Sequence, residues 1–311
     1  MKTRKVLAGL TWILAILGCA VLLESTPTAR GQALLFTSVD APVPGATVTR
    51  ASGINAGGDI VGSYVDAKGQ HGFALSGGVF ASIDFPTLDV TNPVVGTDAR
   101  GIGPGGDIVG TYRLMKEPTT VPAHGYLLTR NGSFYRIDHP DHANTIAQRI
   151  LPNGTILGCY HDANTMDTMH GMITNRQGVS GFDMGMTMHN GATPNGKRIT
   201  GLWTDSAKHV HGYLLDGDNF ISFDVPGTEV GGSTAAWDMN AGGEIVGVYT
   251  DTNKKVHGFL VDADWNFTTI DVDLPNVTAT RAFGINSRGD VVGAYTSGGT
   301  THGFLGRRSQ D

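Results

Sequence analysis

A block of about 46 residues occurs six times along this 311-residue chain, and no other feature constrains its fold so tightly. Internal repetition at that period belongs to solenoids, propellers and arrays. The first motif of the block is Gly-Asp-Ile-Val-Gly at 58–62 and 106–110, with variants at 154–158, 197–201, 243–247 and 289–293. The second places His71, His124, His170, His211, His257 and His302 before Gly and then Phe, Tyr or, once, Met172. The third ends in Asp84, Asp138, Asp183, Asp224 and Asp271. Its sixth copy opens the repeat region instead of closing it, as Phe36-Thr37-Ser38-Val39-Asp40-Ala41-Pro42.

That displaced copy predicts a closed ring, in which the first strand completes the last unit and removes the sheet edges a linear array would expose. The signals inside each unit are strand and turn. Asn55-Ala56-Gly57-Gly58 and Asn286-Ser287-Arg288-Gly289 are hairpin loops, and short apolar runs such as Ile60-Val61-Gly62-Ser63-Tyr64 follow them. Three hairpins give four strands per unit, and no part of residues 34–311 keeps a helical period. The expectation is all-β: a six-bladed β-propeller of four-stranded antiparallel blades. The competing architectures are a seven-bladed ring with one degenerate blade and a β-solenoid.

Residues 1–33 read as a signal peptide preceding a single domain at 34–311. Lys2, Arg4 and Lys5 precede an apolar run from Val6 to Leu23, and Gly31-Gln32-Ala33 offers a cleavage site. An uncleaved anchor is the alternative reading, and lipidation at Cys19 is disfavoured by the apolar residues beyond it. Either way the expected location is secreted, extracellular or periplasmic, with no membrane span after cleavage. The chain has 22 basic and 28 acidic residues; removing Lys2, Arg4, Lys5, Arg30 and Glu24 with the leader leaves 18 and 27, a net charge of −9. With no basic cluster, nucleic acid is a poor partner. Cys159 is then the only cysteine, so no intramolecular disulfide forms. A monomer is expected.

The run Gly-Ile-Asn-x-x-Gly-Asp-Ile-Val-Gly, followed after a variable loop by His-Gly-Phe-x-Leu and a Gly-x-Phe turn, resembles the extracellular repeat of the HAF family. The likeness covers nearly all of residues 34–305, with Gly replacing the central Ala of that family's His-Ala-Phe tripeptide in all six copies. It implies an exported β-repeat protein with no established activity and no catalytic residues.

Residues present in every unit are expected to build the unit: His through a turn backbone, Asp by closing a turn. Function should lie where the units differ. Removing the six repeat histidines leaves His139, His142, His161, His189 and His209, and four of these fall between 139 and 189. Six of nine methionines fall between 166 and 188. Thioether and imidazole in an exported protein point to copper, with His161, Met166, Met169, Met184, Met186, Met188 and His189 as candidate ligands. The alternative is that methionine fills gaps where the repeat has degenerated. Asp262-Ala263-Asp264-Trp265-Asn266 has the oxygen spacing of a calcium loop but continues with Phe267 where Gly is needed.

Variable residues at matching places on the innermost strands are read as Arg50, Asp98, Ile146, His189, Ala235 and Arg281, with Arg100, Gln148 and Trp237 nearby. Arg50, Asp98, Arg100, Trp237 and Arg281 are the candidate ligand residues at the channel mouth, where the three arginines and Trp237 suit an acidic or sugar-like ligand; packing between units is the alternative reading. The functional expectation is a non-catalytic module that binds a ligand, glycan or protein on its loop face. The alternatives are a copper protein and a propeller hydrolase or lactonase.

Overall fold

The computed structural model describes residues 33–116, 124–142, 144–162, 168–175, 178–228 and 231–309. The leader expected at 1–33 lies, but for Ala33, outside them. Twenty-four strands run through the described residues, and none of these residues forms an α-helix.

Six antiparallel four-stranded groups account for the strands. The first is β2 (Val48–Ile54), β3 (Ile60–Asp66), β4 (Gly69–Ser76) and β5 (Val79–Ile83). The second is β6 (Val94–Ile102), β7 (Ile108–Leu114), β8 (His124–Leu128) and β9 (Phe134–Ile137). The third is β10 (Asn144–Ile150), β11 (Ile156–His161), β12 (Met169–Asn175) and β13 (Gly178–Phe182). The fourth is β14 (Met186–Ala192), β15 (Arg198–Thr204), β16 (Val210–Asp216) and β17 (Asn219–Phe223). The fifth is β18 (Ser233–Met239), β19 (Ile245–Thr250), β20 (Val256–Val261) and β21 (Phe267–Ile270). The sixth is β22 (Val277–Ile285), β23 (Val291–Ser297) and β24 (Thr300–Arg308), with β1 (Leu34–Val39) as its fourth strand, running antiparallel to β24 from Leu34↔Arg308 to Val39↔Gly303. Single parallel bridges at β2–β24, β4–β6 and β20–β22 join sixteen strands into one sheet, while the third and fourth groups are separate sheets.

Apolar cores lie between successive groups. Ile83 and Phe85 from the first group's end pack with Ala99 and Tyr112 of the second, and Val246 and Ile270 of the fifth pack with Ala282 and Phe304 of the sixth. Val292 of the sixth joins Val39, Ala51 and Phe73. The Gly after each repeat histidine allows this approach. A Cβ at Gly72, Gly125 or Gly258 would lie 3.3–3.4 Å from the Ala99, Ala147 or Ala282 methyl carbon of the next group.

The first strands of the groups converge, β2 beside β6 and β22, β10 beside β6 and β14, and β18 beside β14 and β22. Each carries a β-bulge, at Ser52, Arg100, Gln148, Asn190, Trp237 or Phe283. The bulge pushes the strand's carbonyl toward its neighbour, and the last Gly of the Gly-Asp-Ile-Val-Gly motif receives it. A side chain at Gly62, Gly110, Gly158, Gly201 or Gly293 would overlap the carbonyl oxygen of Arg50, Asp98, Ile146, Met188 or Arg281.

Just past each bulge sits Gly53, Gly101, Gly191 or Gly284, and in the two remaining groups Arg149 and Asp238. The glycines let adjacent strands touch: a Cβ at Gly101 would lie 2.6 Å from the Gln148 carbonyl oxygen. Arg149 fills the space they leave. Its guanidinium donates to the carbonyls of Ser52, Arg100 and Phe283, and its Nε lies 3.3 Å from Asp238 Oδ1. Asp238 accepts from the Met239 and Ile285 amides at 2.9 and 3.1 Å. Burial pushes the Asp238 carboxyl up, opposed by Arg149 and by these two amides. One ion pair thus ties five of the six groups.

Removing one partner of a buried pair strands the other charge, at a cost of about 3–5 kcal/mol. Asp238→Ala should therefore lower urea-unfolding stability by that order, and Arg149→Met with Asp238→Leu should recover much of the loss. An Asp238→Ala protein as stable as the parent would remove Arg149 from this role.

Candidate ligand-binding cavity

The bulges do more than bend strands. A bulge re-aims its side chain, and five of the six bulge residues, all but Asn190, line one cavity of about 410 Å³. The wall also holds Arg50, Asp98, Ala235 and Arg281, two residues before the bulge on their strands, and Ser63, Ser233 and Val248. All five residues expected at the channel mouth, Arg50, Asp98, Arg100, Trp237 and Arg281, therefore surround a single space. Phe283 and Ser52 were not anticipated. Their signal in the sequence is their place directly after the repeated Ala of the first strand, at Ala282 and Ala51.

One assignment needs correction. His189 does not match Arg50, Asp98 and Arg281. Pairing with Gly201 puts it level with Ala51, Ala99 and Ala147, and Met188 takes the place on its strand that matches Arg50, Asp98 and Arg281. His189 is fully buried, its ring covers Gly171, and its Nδ1 hydrogen-bonds the Tyr213 hydroxyl. Burial pulls its pKa down to about 4, so the ring is neutral.

The cavity's charges are unevenly compensated. Arg100 lies 3.2 Å from Asp98 Oδ2 and donates to Gln148 Oε1 at 3.0 Å. Among the described residues, no carboxylate lies within ion-pair distance of Arg50 or Arg281. Burial and the charge of Arg50 both lower the Arg281 pKa. Asp98 Oδ1 is buried without a hydrogen-bond partner. Trp237 and Phe283 form an edge-to-face pair with centroids 5.2 Å apart. A smaller pocket of about 130 Å³ is lined by Arg149 and Asp238 and walled by the turns at Asn55, Pro152, Asn240 and Asn286.

The methionine-rich segment divides. Met169 and Met188 are buried with Ile146 and Cys159, and Met186 and Leu202 pack against them. Met184 is 46% exposed and precedes β14, so the three methionines at 184–188 do not share one environment. Met166 lies outside the described residues. His161 is buried with Nε2 3.8 Å from Cys159 Sγ. Among the described residues, no group of three His, Cys, Asp or Glu side chains is arranged to hold a metal. At the proposed calcium loop, both Asp262 oxygens accept hydrogen bonds within the turn, from the Asp264 and Asn266 amides and the Asn266 side chain.

The repeat histidines and aspartates, expected to act separately, form one device. His71, His124, His170, His211, His257 and His302 each bond, through Nδ1, Asp84, Asp138, Asp183, Asp224, Asp271 or Asp40 at 2.7–3.1 Å. Each ring also stacks on an aromatic side chain of the preceding strand, as His71 does on Tyr64 and His211 on Trp203. The third group elaborates this. Tyr160 stacks with His170, His139 and His142, while Asp162 bonds His170 Nε2 at 2.9 Å and His142 Nδ1 at 3.0 Å. The link before β10 and the turn after β11 therefore meet.

Burial disfavours the charged His170 ring, but hydrogen bonds to Asp162 and Asp183 outweigh it and hold its pKa above 6.5. The His170 hydrogen bond leads the effects that hold the Asp162 pKa below 3.8. His139 is shifted the other way, lowered by burial and by the charge of His142. The stabilisation from His170 is therefore complete below pH 6.5 and is lost as pH rises through its raised value. That from Asp162 is complete above 3.8 and fades on acidification. The stability difference between the parent and His170→Gln, followed by urea unfolding from pH 6 to 9, should shrink with rising pH. A difference that stays flat would break this linkage.

No family model matches the chain, and no curated protein matches it; the likeness to the HAF repeat rests on the motifs alone. Solved structures match closely enough to show the fold. A putative TolB from Agrobacterium tumefaciens aligns over 85% of this chain and 91% of its own, at 14% identity and a TM-score of 0.53. An Aleuria aurantia lectin, crystallised with Fucα1-6GlcNAc, aligns over 85% and 92% at 10% identity and 0.51. A gluconolactonase from Xanthomonas campestris aligns over 88% and 98% at 9% identity and 0.51. With the four-stranded groups and their converging first strands, these likenesses make the fold a β-propeller.

Proposed function

We propose that this chain is an exported six-bladed propeller, its ring closed by the N-terminal strand, that acts as a non-catalytic binding module through the axial cavity. Pairing of β1 with β24 and the core shared by Val292 and Ala51 support closure. The fold itself does not choose a function, since a lectin and a lactonase both resemble it. The observation that carries the reading is the cavity wall, where Arg50, Asp98, Arg100, Trp237 and Phe283 stand at positions that differ from blade to blade. Variable residues gathered on an invariant frame are the mark of a recognition surface. A screen of glycans and peptides should return ligands that Trp237→Ala no longer holds while its unfolding midpoint stays within a few degrees of the parent's. Ligands kept by that variant, or turnover of a lactone or glycoside by the parent, would refute the reading.

A second reading, copper binding, draws support from one buried cluster that holds Cys159 and His161 beside Met169 and Met188. Sulfur and imidazole donors favour Cu(I). On this reading the protein loaded with Cu(I) and desalted keeps about one copper by elemental analysis, and Cys159→Ser or Met188→Leu loses it. Retention of none by the parent would end it.

A further inference from the structure

We propose that the axial cavity takes an acidic saccharide, its carboxylate held between Arg50 and Arg281 and its ring set against Trp237. The inference rests on the cavity being the binding site and names what fills it.

Arg50 and Arg281 come from β2 and β22, the first strands of neighbouring groups, so the arrangement of the groups brings two cations to one wall. Among the described residues, no carboxylate lies within ion-pair distance of either. The one cavity acid, Asp98, is already engaged with Arg100 at 3.2 Å. Both line the one cavity, and the charge of Arg50 adds to burial in lowering the Arg281 pKa, a repulsion between like charges. An anion between them relieves it, and guanidinium groups match the planar geometry of a carboxylate.

The remaining wall is wrong for a bare inorganic anion. Trp237 and Phe283 present aromatic surface on one side, which suits the C–H face of a sugar ring better than a hydrated ion. Asp98 Oδ1, buried with no partner, is an acceptor waiting for a donor, and a ring hydroxyl supplies one. Ser63 and Ser233 add hydroxyl groups to the same wall. A space of about 410 Å³ is in the range that encloses a small organic ligand. The net charge of −9 over residues 34–311 disfavours a long polyanion, which would extend beyond the cavity, and favours a compact anion.

Calorimetric titration of the purified protein with tri-galacturonate, the corresponding neutral trisaccharide and inorganic phosphate tests this. Tri-galacturonate should bind at least about tenfold more tightly than the neutral sugar, one carboxylate contact being of that order, and should weaken as salt is raised. Arg50→Gln and Arg281→Gln should each lose about tenfold toward the acid and leave the neutral sugar unchanged. Trp237→Ala should weaken both sugars, with the unfolding midpoint as control. Equal affinity for acid and neutral sugar would overturn the anionic class while leaving the binding reading intact. So would tri-galacturonate binding that both arginine variants retain. Phosphate bound as tightly as the sugar acid would overturn the saccharide. No ligand at all, here or in the glycan and peptide screen, would remove the binding reading and this inference with it.

Discussion

The hydrogen bonds of Arg149 hold the centre of this molecule. A propeller brings the first strands of its blades together at an axis where side chains compete for little room. Here four of six strands give way with glycine, at Gly53, Gly101, Gly191 and Gly284, and the space is taken by one guanidinium. It spans carbonyls on three other strands and an aspartate on a fourth. Buried charge is costly, and this site offsets the cost by using the same group to satisfy backbone carbonyls that the bulges leave without strand partners. The pair lines the smaller pocket, while the bulge residues next to it in sequence, Gln148 and Trp237, line the larger cavity.

Division of labour within the repeat follows from the geometry. His, Asp and an aromatic ring recur in each blade and fasten its outer strands, so they carry no information about a ligand. The bulge residues point to the axis, where no two neighbours need the same side chain, and they are free to vary. The third blade stretches the fastening device with His139 and His142 stacked on Tyr160, so extra imidazoles appear there as an extension of the scaffold.

Much of this was legible from residues alone. Strands, turns and blade boundaries follow from a motif whose glycines are fixed by overlap with a carbonyl, and a motif so constrained keeps its phase. In that phase Arg50, Asp98, Arg100, Trp237 and Arg281 fall at matching places on their strands, and the structure has them line one cavity. The phase failed at His189, because the turn from Thr193 to Arg198 is one residue longer than its counterpart from Asn55 to Asp59, and an alignment anchored on it slips by one. Arg149 and Asp238 were missed for another reason. Each replaces a glycine in only one copy, and a charged residue on a strand reads as solvated until the bulge beside it is seen to turn it inward. The surroundings of the methionines were not legible, since a cluster in sequence says nothing of whether thioethers meet solvent or, as with Met169 and Met188, a core.

The seam between β1 and β24 has a consequence in time. Ser38 and Tyr295, hydrogen-bonded at 2.6 Å, are 257 positions apart, and Asp40 meets His302 across a similar span. A chain made from its N-terminus presents β1 first and gives it a partner last, after every other strand has been synthesised. Until then Leu34–Val39 is an unpaired strand and β2 lacks the neighbour that covers it. Closing so long a loop is slow, and a chain that stops short of β24 keeps a free edge. Synthesis of β24 is thereby registered at Leu34–Val39, whose pairing sets molecules that carry β24 apart from those that stop short of it.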